Sequence, residues 1–96
     1  MKIYKDVSPS DLNDEMVFVR NEHTRHTQKW GLQSRSLFEW LTYITEEVGE
    51  LAEAISKHEY GNRDMLEISK EAIRVAALAT RISAIIKQNA VERVTV

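Results

Sequence analysis

The chain has 96 residues and a formal net charge of −2, with 13 basic and 15 acidic side chains. One domain with a modest core is expected at this length, and without a basic excess we expect no nucleic-acid binding. The sequence has no cysteine, which excludes disulfides and thiolate metal sites. It also lacks a signal-peptide pattern and any run approaching the roughly 18 apolar residues of a membrane span, so we expect a cytoplasmic protein with no membrane partner.

Three glycines and one proline are few, and this favours helix. The first helix is predicted over about 9–29, with Ser8 as cap, Pro9 at the first position and Asp11 as capping-box acid. Its second half is polar on nearly all sides, which indicates a solvated helix or one that lines a polar site. The histidines in that half, His23 and His26, are interpreted as surface residues.

Two further helices follow a connecting loop. A capping box from Ser36 to Glu39 predicts a second helix over about 36–58, with Gly61 and Asn62 as its stop signal. The third helix is predicted over about 64–87. For the tail, 89–96, the sequence leaves open an extended arm or a disordered segment.

The second predicted helix has an apolar stripe with acids along its margin. Six residues form the stripe: Leu37, Leu41, Ile44, Val48, Leu51 and Ile55. We expect it to be a core seam, with Glu47 at its edge and Glu50 about one turn further on. Trp40 and Phe38 are predicted to lie in the core or in an interface.

The third predicted helix carries Glu71 near the centre of an apolar stripe, and Glu67 points nearly the same way. An ionised carboxylate is costly there unless it is paired or bound to a metal. Two interpretations stay open: a shared divalent cation, or an ion pair with Arg74 or Arg81. Oxygen-only ligands favour Mg²⁺ or Mn²⁺ over zinc.

The segment 46–55, with the letters EEVGELAEAI, resembles the first motif of the MazG-like, all-α nucleoside triphosphate pyrophosphohydrolases. The stretch 70–78 resembles the helix of their second motif. The stretch 29–41 is similar to short MazG-like proteins of phages and mobile elements. The resemblance runs from about His26 to Ile82.

This resemblance implies that Glu47, Glu50 and Glu71 bind Mg²⁺, with Glu46 close by to orient water. Glu46 or Glu47 would then act as the catalytic base. The family's second motif ends in an aspartate where this chain has Arg74. Glu67 is the candidate for the missing fourth ligand.

The family reaction splits the α–β phosphoanhydride of a nucleoside triphosphate, in keeping with house-cleaning of the nucleotide pool and a deoxynucleotide substrate. Lys29, Arg25 and Arg35 are candidates for binding the triphosphate, and Arg74 for contacting a phosphate in place of the lost metal ligand. Trp30 offers a flat surface for the base, with loop packing as its other interpretation.

We therefore expect an all-α, MazG-like helical bundle completed by homo-oligomerisation, as a dimer or tetramer. The third helix is apolar on more than one face, as expected if two neighbours cover it. Gly49 fits a close approach between helices. The alternative function is a helical module that has lost turnover and binds nucleotide or protein partners.

Overall fold

The computed structural model describes residues 2–61 and 63–95, with side chains described up to residue 90. Within these residues the protein is all-α and contains no strand, as predicted. A 3₁₀ turn, Pro9–Asp11, leads into three helices: α1 (Leu12–Trp30), α2 (Leu37–Gly61) and α3 (Leu66–Thr95). None of these helices is long and apolar enough to cross a membrane.

Side-chain caps fix where the helices begin. The Ser8 N–H donates to the Asp11 carboxylate at 2.9 Å, and the turn it closes is 3₁₀, so α1 begins three residues later than predicted. Before α2, the Ser36 N–H donates to Glu39 and the Glu39 N–H donates to the Ser36 hydroxyl, both at 3.1 Å. This reciprocal pair is the predicted capping box.

The helix ends differ from the predicted ones. Gly31, at φ 73°, ends α1, and its N–H donates to the Thr27 carbonyl at 2.7 Å. α2 continues to Gly61, and Asn62 of the predicted stop signal lies outside the described residues. α3 continues to Thr95, where the sequence left open an extended or disordered tail, because no glycine or proline interrupts it. Val96 also lies outside the described residues.

α3 is the central helix, since it packs against both α1 and α2, while no packing between α1 and α2 is found among the described residues. The buried positions are Val19 on α1, Trp40 on α2, and Ala77 and Arg81 on α3. Trp40 is 2% exposed, so the prediction that it lies in the core is confirmed. The core is therefore small and lies where α3 meets its two neighbours.

The apolar stripe of α2 is only in part the core seam that the sequence predicted, since two of its six residues, Ile44 and Leu51, are half-buried. Its residues Leu37, Leu41, Val48 and Ile55 are between 43% and 58% exposed. The reason is that, among the described helices, α3 is the one that packs against α2. A Cβ built at Gly49 meets no atom within 4 Å, so none of the described helices approaches this residue closely.

Candidate functional site

Three acidic side chains from two helices converge at one point of the α2–α3 interface. One carboxylate oxygen each of Glu47, Glu50 and Glu71 lies within 4.8 Å of the others. Glu47 and Glu50 are one helical turn apart on α2, which places them side by side. Glu71 faces them from α3. The structure thus brings together three of the four residues predicted as metal ligands.

Two oxygens of this cluster lack the partner that a buried polar atom needs. Glu47 Oε2 and Glu71 Oε2 are both buried and accept no hydrogen bond from the described residues. A buried acceptor left in this state costs about 1–3 kcal/mol, and more when it is charged. A cation between the carboxylates would satisfy both oxygens, so the donor set fits a hard divalent ion.

The separations also fit a single ion. Oxygens bound to one Mg²⁺ at 2.0–2.1 Å lie at most about 4.2 Å apart. Carboxylate oxygens already within 4.8 Å of one another therefore need only small side-chain rotations to share one cation.

Burial and charge repulsion both act on Glu47. Its pKa is raised, first because the carboxyl is partly buried and then because Glu50 and Glu71 place negative charge beside it. Arg74 acts in the opposite direction. Without a cation, this cluster therefore holds a proton on Glu47 more readily than an exposed glutamate would.

The two interpretations of Glu71 that the sequence left open both have support. Arg74 Nη1 donates to Glu71 Oε1 at 3.1 Å, an ion pair within α3. The other oxygen, Oε2, is the one without a partner. Arg81, the second arginine considered for Glu71, instead lies on Trp40 and His26.

The structure does not bring Glu67 to the cluster. Glu67 lies exposed in the first turn of α3 and is not among the three convergent acids. Glu46 is exposed and lines a cleft beside Glu47. Of the two residues predicted as catalytic, Glu47 is thus part of the cluster and Glu46 stands next to it.

The cleft has a volume of about 510 Å³ and extends from the acid cluster between α1, α2 and α3. Four of the residues predicted to bind substrate line it: Arg25, Trp30, Arg35 and Arg74. Trp30 ends α1 and is 58% exposed, so its ring is available to a ligand. Lys29, also predicted to bind substrate, is not among the lining residues, although its Nζ lies 5.1 Å from the centre of the Trp30 ring.

Besides Arg74, two further arginines of the cleft have acidic partners. Arg25 donates to both carboxylate oxygens of Glu22, at 2.7 and 3.0 Å, and the pKa of Glu22 is lowered by this hydrogen bonding. Arg35 contacts Glu39 at 3.3 Å and lies 5.3 Å from the centre of the Tyr43 ring. Their charge is therefore partly neutralised within the chain.

Three cleft residues were missed as site candidates. His23 and His26, predicted as surface residues, are half-buried and line the cleft. Arg81 is buried there, and it was considered only as a partner for Glu71. A signal for Arg81 was present, since it follows Arg74 by seven residues and so lies on the same face of α3.

The cleft thus has an acidic end, at Glu46 and Glu47, and a basic, aromatic remainder. Such a site can hold a cation at one end together with an anionic, flat ligand along its length. No family model, curated protein or solved structure matches the chain. Its function is therefore inferred from the site itself.

Proposed function

We propose that this protein is a Mg²⁺-dependent nucleoside triphosphate pyrophosphohydrolase of the MazG-like type. One observation carries the proposal: Glu47, Glu50 and Glu71 converge from two helices, and two of their buried oxygens have no hydrogen-bond partner among the described residues. A bound Mg²⁺, or Mn²⁺ in its place, would neutralise the repulsion among the three carboxylates and coordinate the two oxygens that lack hydrogen bonds.

The adjoining cleft supports a nucleotide as the ligand. A triphosphate needs cationic side chains beside the metal, and Arg74 lies next to Glu71 at the acidic end. A base needs a flat apolar surface, and Trp30 offers an exposed ring in the same cleft. The volume of about 510 Å³ lies within the range of small-molecule sites.

In the reaction, water adds to the α-phosphorus and the α–β anhydride bond breaks, giving a nucleoside monophosphate and pyrophosphate. Glu47, Glu50 and Glu71 would hold the cation, and Arg74 would bind a phosphate oxygen. When bound, Mg²⁺ would supply electrostatic stabilisation of the phosphoryl oxygens and activation of water. Glu46, which lines the cleft beside the cluster, accepts the proton of the attacking water.

We further propose that the protein is a homodimer or a higher homo-oligomer. Four exposed apolar residues lie on one face of α2, at spacings of four, seven and seven residues: Leu37, Leu41, Val48 and Ile55. This spacing suits pairing with the same face of a second copy. Gly49 borders that face with open space above it, where a second helix would find no Cβ in its way.

The test is release of pyrophosphate from nucleoside and deoxynucleoside triphosphates with Mg²⁺. We expect release by the unaltered protein and a loss of at least about 100-fold for Glu50→Gln, since removing a ligand's charge removes transition-state stabilisation. The matched control is Glu53→Gln, which changes an exposed glutamate of the same helix. Equal rates in all three proteins would overturn the assignment of the metal centre.

The ion pair of Arg74 with Glu71 favours a second candidate function. The Arg74 guanidinium, 3.1 Å from Glu71, partly replaces a metal cation at this carboxylate. The protein would then bind the nucleotide without hydrolysing it. In that case the protein would bind nucleoside triphosphates in a Mg²⁺-dependent manner and release no pyrophosphate. If the protein neither binds nucleoside triphosphates nor releases pyrophosphate, its function would be that of a protein-interaction module.

A further inference from the structure

Arg81 is a buried cation to which the described residues supply no acidic partner. It is 8% exposed, and its guanidinium carbon lies 4.9 Å from the centre of the Trp40 ring. Its side chain makes one hydrogen bond to a described residue, from Nη1 to His26 Nδ1 at 3.1 Å. Among the described residues, no carboxylate oxygen lies within 4.0 Å of it, in contrast to Arg25, Arg35 and Arg74.

The contact with His26 leaves the guanidinium charge uncompensated. Because Arg81 donates to Nδ1, that nitrogen carries a lone pair, and the imidazole is neutral with its proton on Nε2. Burial and the neighbouring charge of Arg81 lower the pKa of His26, which keeps the ring neutral at pH 7. A guanidinium has five N–H donors, so four remain for a ligand in the cleft that Arg81 lines.

The position of Arg81 along α3 separates it from the triphosphate. Arg74 follows Glu71 by three residues, an axial rise of about 4.5 Å, whereas Arg81 follows it by ten residues, about 15 Å. Arg74 is thus in reach of phosphates held at the acid cluster. Arg81 lies about a nucleoside's length further along the same face, next to the aromatic residues of the cleft.

We propose that Arg81 reads the nucleobase, by donating two parallel hydrogen bonds to adjacent acceptors on one edge of the ring. This inference rests on the proposed nucleotide substrate. Guanine offers such a pair at N7 and O6, the commonest bidentate target of arginine. Cytosine offers the equivalent pair at N3 and O2. Adenine places an amino donor beside N7, and uracil or thymine places an N–H donor between its carbonyls, so both are disfavoured.

The test measures binding of α,β-imido nucleoside triphosphates with Mg²⁺, using inorganic tripolyphosphate as a probe without a base. We expect guanine or cytosine analogues to bind about 5- to 150-fold more tightly than adenine and uracil analogues. The 7-deazaguanine analogue distinguishes the two bases. It lacks the N7 acceptor, so it should bind more weakly than the guanine analogue only if Arg81 bonds to guanine N7.

Arg81→Lys keeps the charge but loses the planar fork, so it should remove most of the base preference while tripolyphosphate affinity stays within about twofold. Equal affinity of the unaltered protein for all four bases would overturn the inference, without needing any variant. So would an Arg81→Lys protein, folded by circular dichroism, that loses tripolyphosphate binding, because Arg81 would then bind phosphate. Failure of the unaltered protein to bind tripolyphosphate with Mg²⁺ would instead count against the proposed function.

Discussion

At the residue scale, Glu47 is the position where burial and repulsion add up. Its carboxyl is partly buried, has one oxygen without a partner, and lies beside two further acids. Such a group destabilises the metal-free fold when ionised and stabilises the metal-bound fold. Sites of this kind destabilise the ligand-free protein locally, and ligand binding relieves that destabilisation.

Glu47→Gln should raise the melting temperature of the metal-free protein at pH 7 by about 2–5 °C. A carboxyl whose pKa is raised by folding stabilises the fold below its unfolded pKa, and this contribution is lost as the pH rises through the folded pKa. Glutamine does not ionise, so the gain should vanish at pH 4. Differential scanning calorimetry in chelator measures it, with Glu53→Gln as control. A lower melting temperature at pH 7 would contradict the account of Glu47.

Arg74→Ala should raise KM for the nucleotide by about tenfold or more, as expected for the loss of a charge-assisted hydrogen bond to phosphate. It also frees Glu71, so the affinity for Mg²⁺ alone should increase. Steady-state kinetics and calorimetric titration measure the two effects. Arg20→Ala, at an exposed position of α1, is the control. An unchanged KM would show that Arg74 does not bind the nucleotide and only forms its ion pair with Glu71.

Spacing along the chain was enough to predict part of the site. Glu47 and Glu50 are one turn apart, so their convergence followed from helix geometry, and Glu71 lay mid-stripe on its helix. Glu67 is also one turn from Glu71, yet it is exposed and lies outside the cluster, which spacing along one helix did not predict. The contact of Arg81 with His26 joins residues 55 apart and needed the packing of α1 on α3.

At the element scale, the exposed apolar face of α2 is the feature that the isolated chain leaves unexplained. Its side chains are about half exposed because, among the described helices, α3 is the one that packs against α2. Exposed apolar rows of this kind mark association surfaces.

If the protein forms the proposed homo-oligomer, Leu41→Glu should convert it to a monomer, because the variant buries a charge in the proposed helix pairing. The helical circular dichroism should be retained, since Leu41 is 57% exposed in the single chain. Thr42→Glu adds the same charge on another exposed side of α2 and should leave the assembly intact. Sedimentation velocity measures both. Identical sedimentation of both variants and the unaltered protein would remove this face from the interface.

The capping box of α2 is a second element-scale test. Ser36→Ala removes the hydroxyl that accepts from the Glu39 N–H, so it should lower the free energy of unfolding by about 0.5–2 kcal/mol. Ser34→Ala, in the same exposed loop, should change it little. Urea denaturation monitored by circular dichroism compares the two. Equal stability would show that Glu39 caps α2 without Ser36.

Helix starts were predictable and helix ends were less so. Ser36 and Glu39 specify a start by a local hydrogen-bond exchange that can be recognised in the sequence. The end of α3 has no comparable marker, because no glycine or proline follows Gly61. The apolar stripe of α2 was recognised, but its burial depended on how many helices cover it, which periodicity does not specify.

At the scale of the whole molecule, the cleft joins an acidic end to a basic one across three helices that share a small core. Ligand binding should therefore contribute a large share of the stability of the folded state. A cation at the acid cluster would join α2 to α3 beyond their apolar contact.

Mg²⁺ should raise the melting temperature of the unaltered protein at pH 7, and the rise should shrink as the pH falls toward 5. Protons compete with the metal for Glu47, whose pKa is raised, so metal affinity decreases in acid. Thermal unfolding at a fixed excess of Mg²⁺ across this pH range measures the effect. A rise that does not depend on pH would place the metal away from Glu47.

The most direct test of the metal centre is electron paramagnetic resonance of Mn²⁺ titrated into the metal-free protein. We predict about one tightly bound ion or more per chain, released by excess Mg²⁺, with binding lost in Glu50→Gln and kept in Glu53→Gln. Mn²⁺ that remains free in the presence of the unaltered protein, or that binds the Glu50→Gln variant equally well, would contradict it.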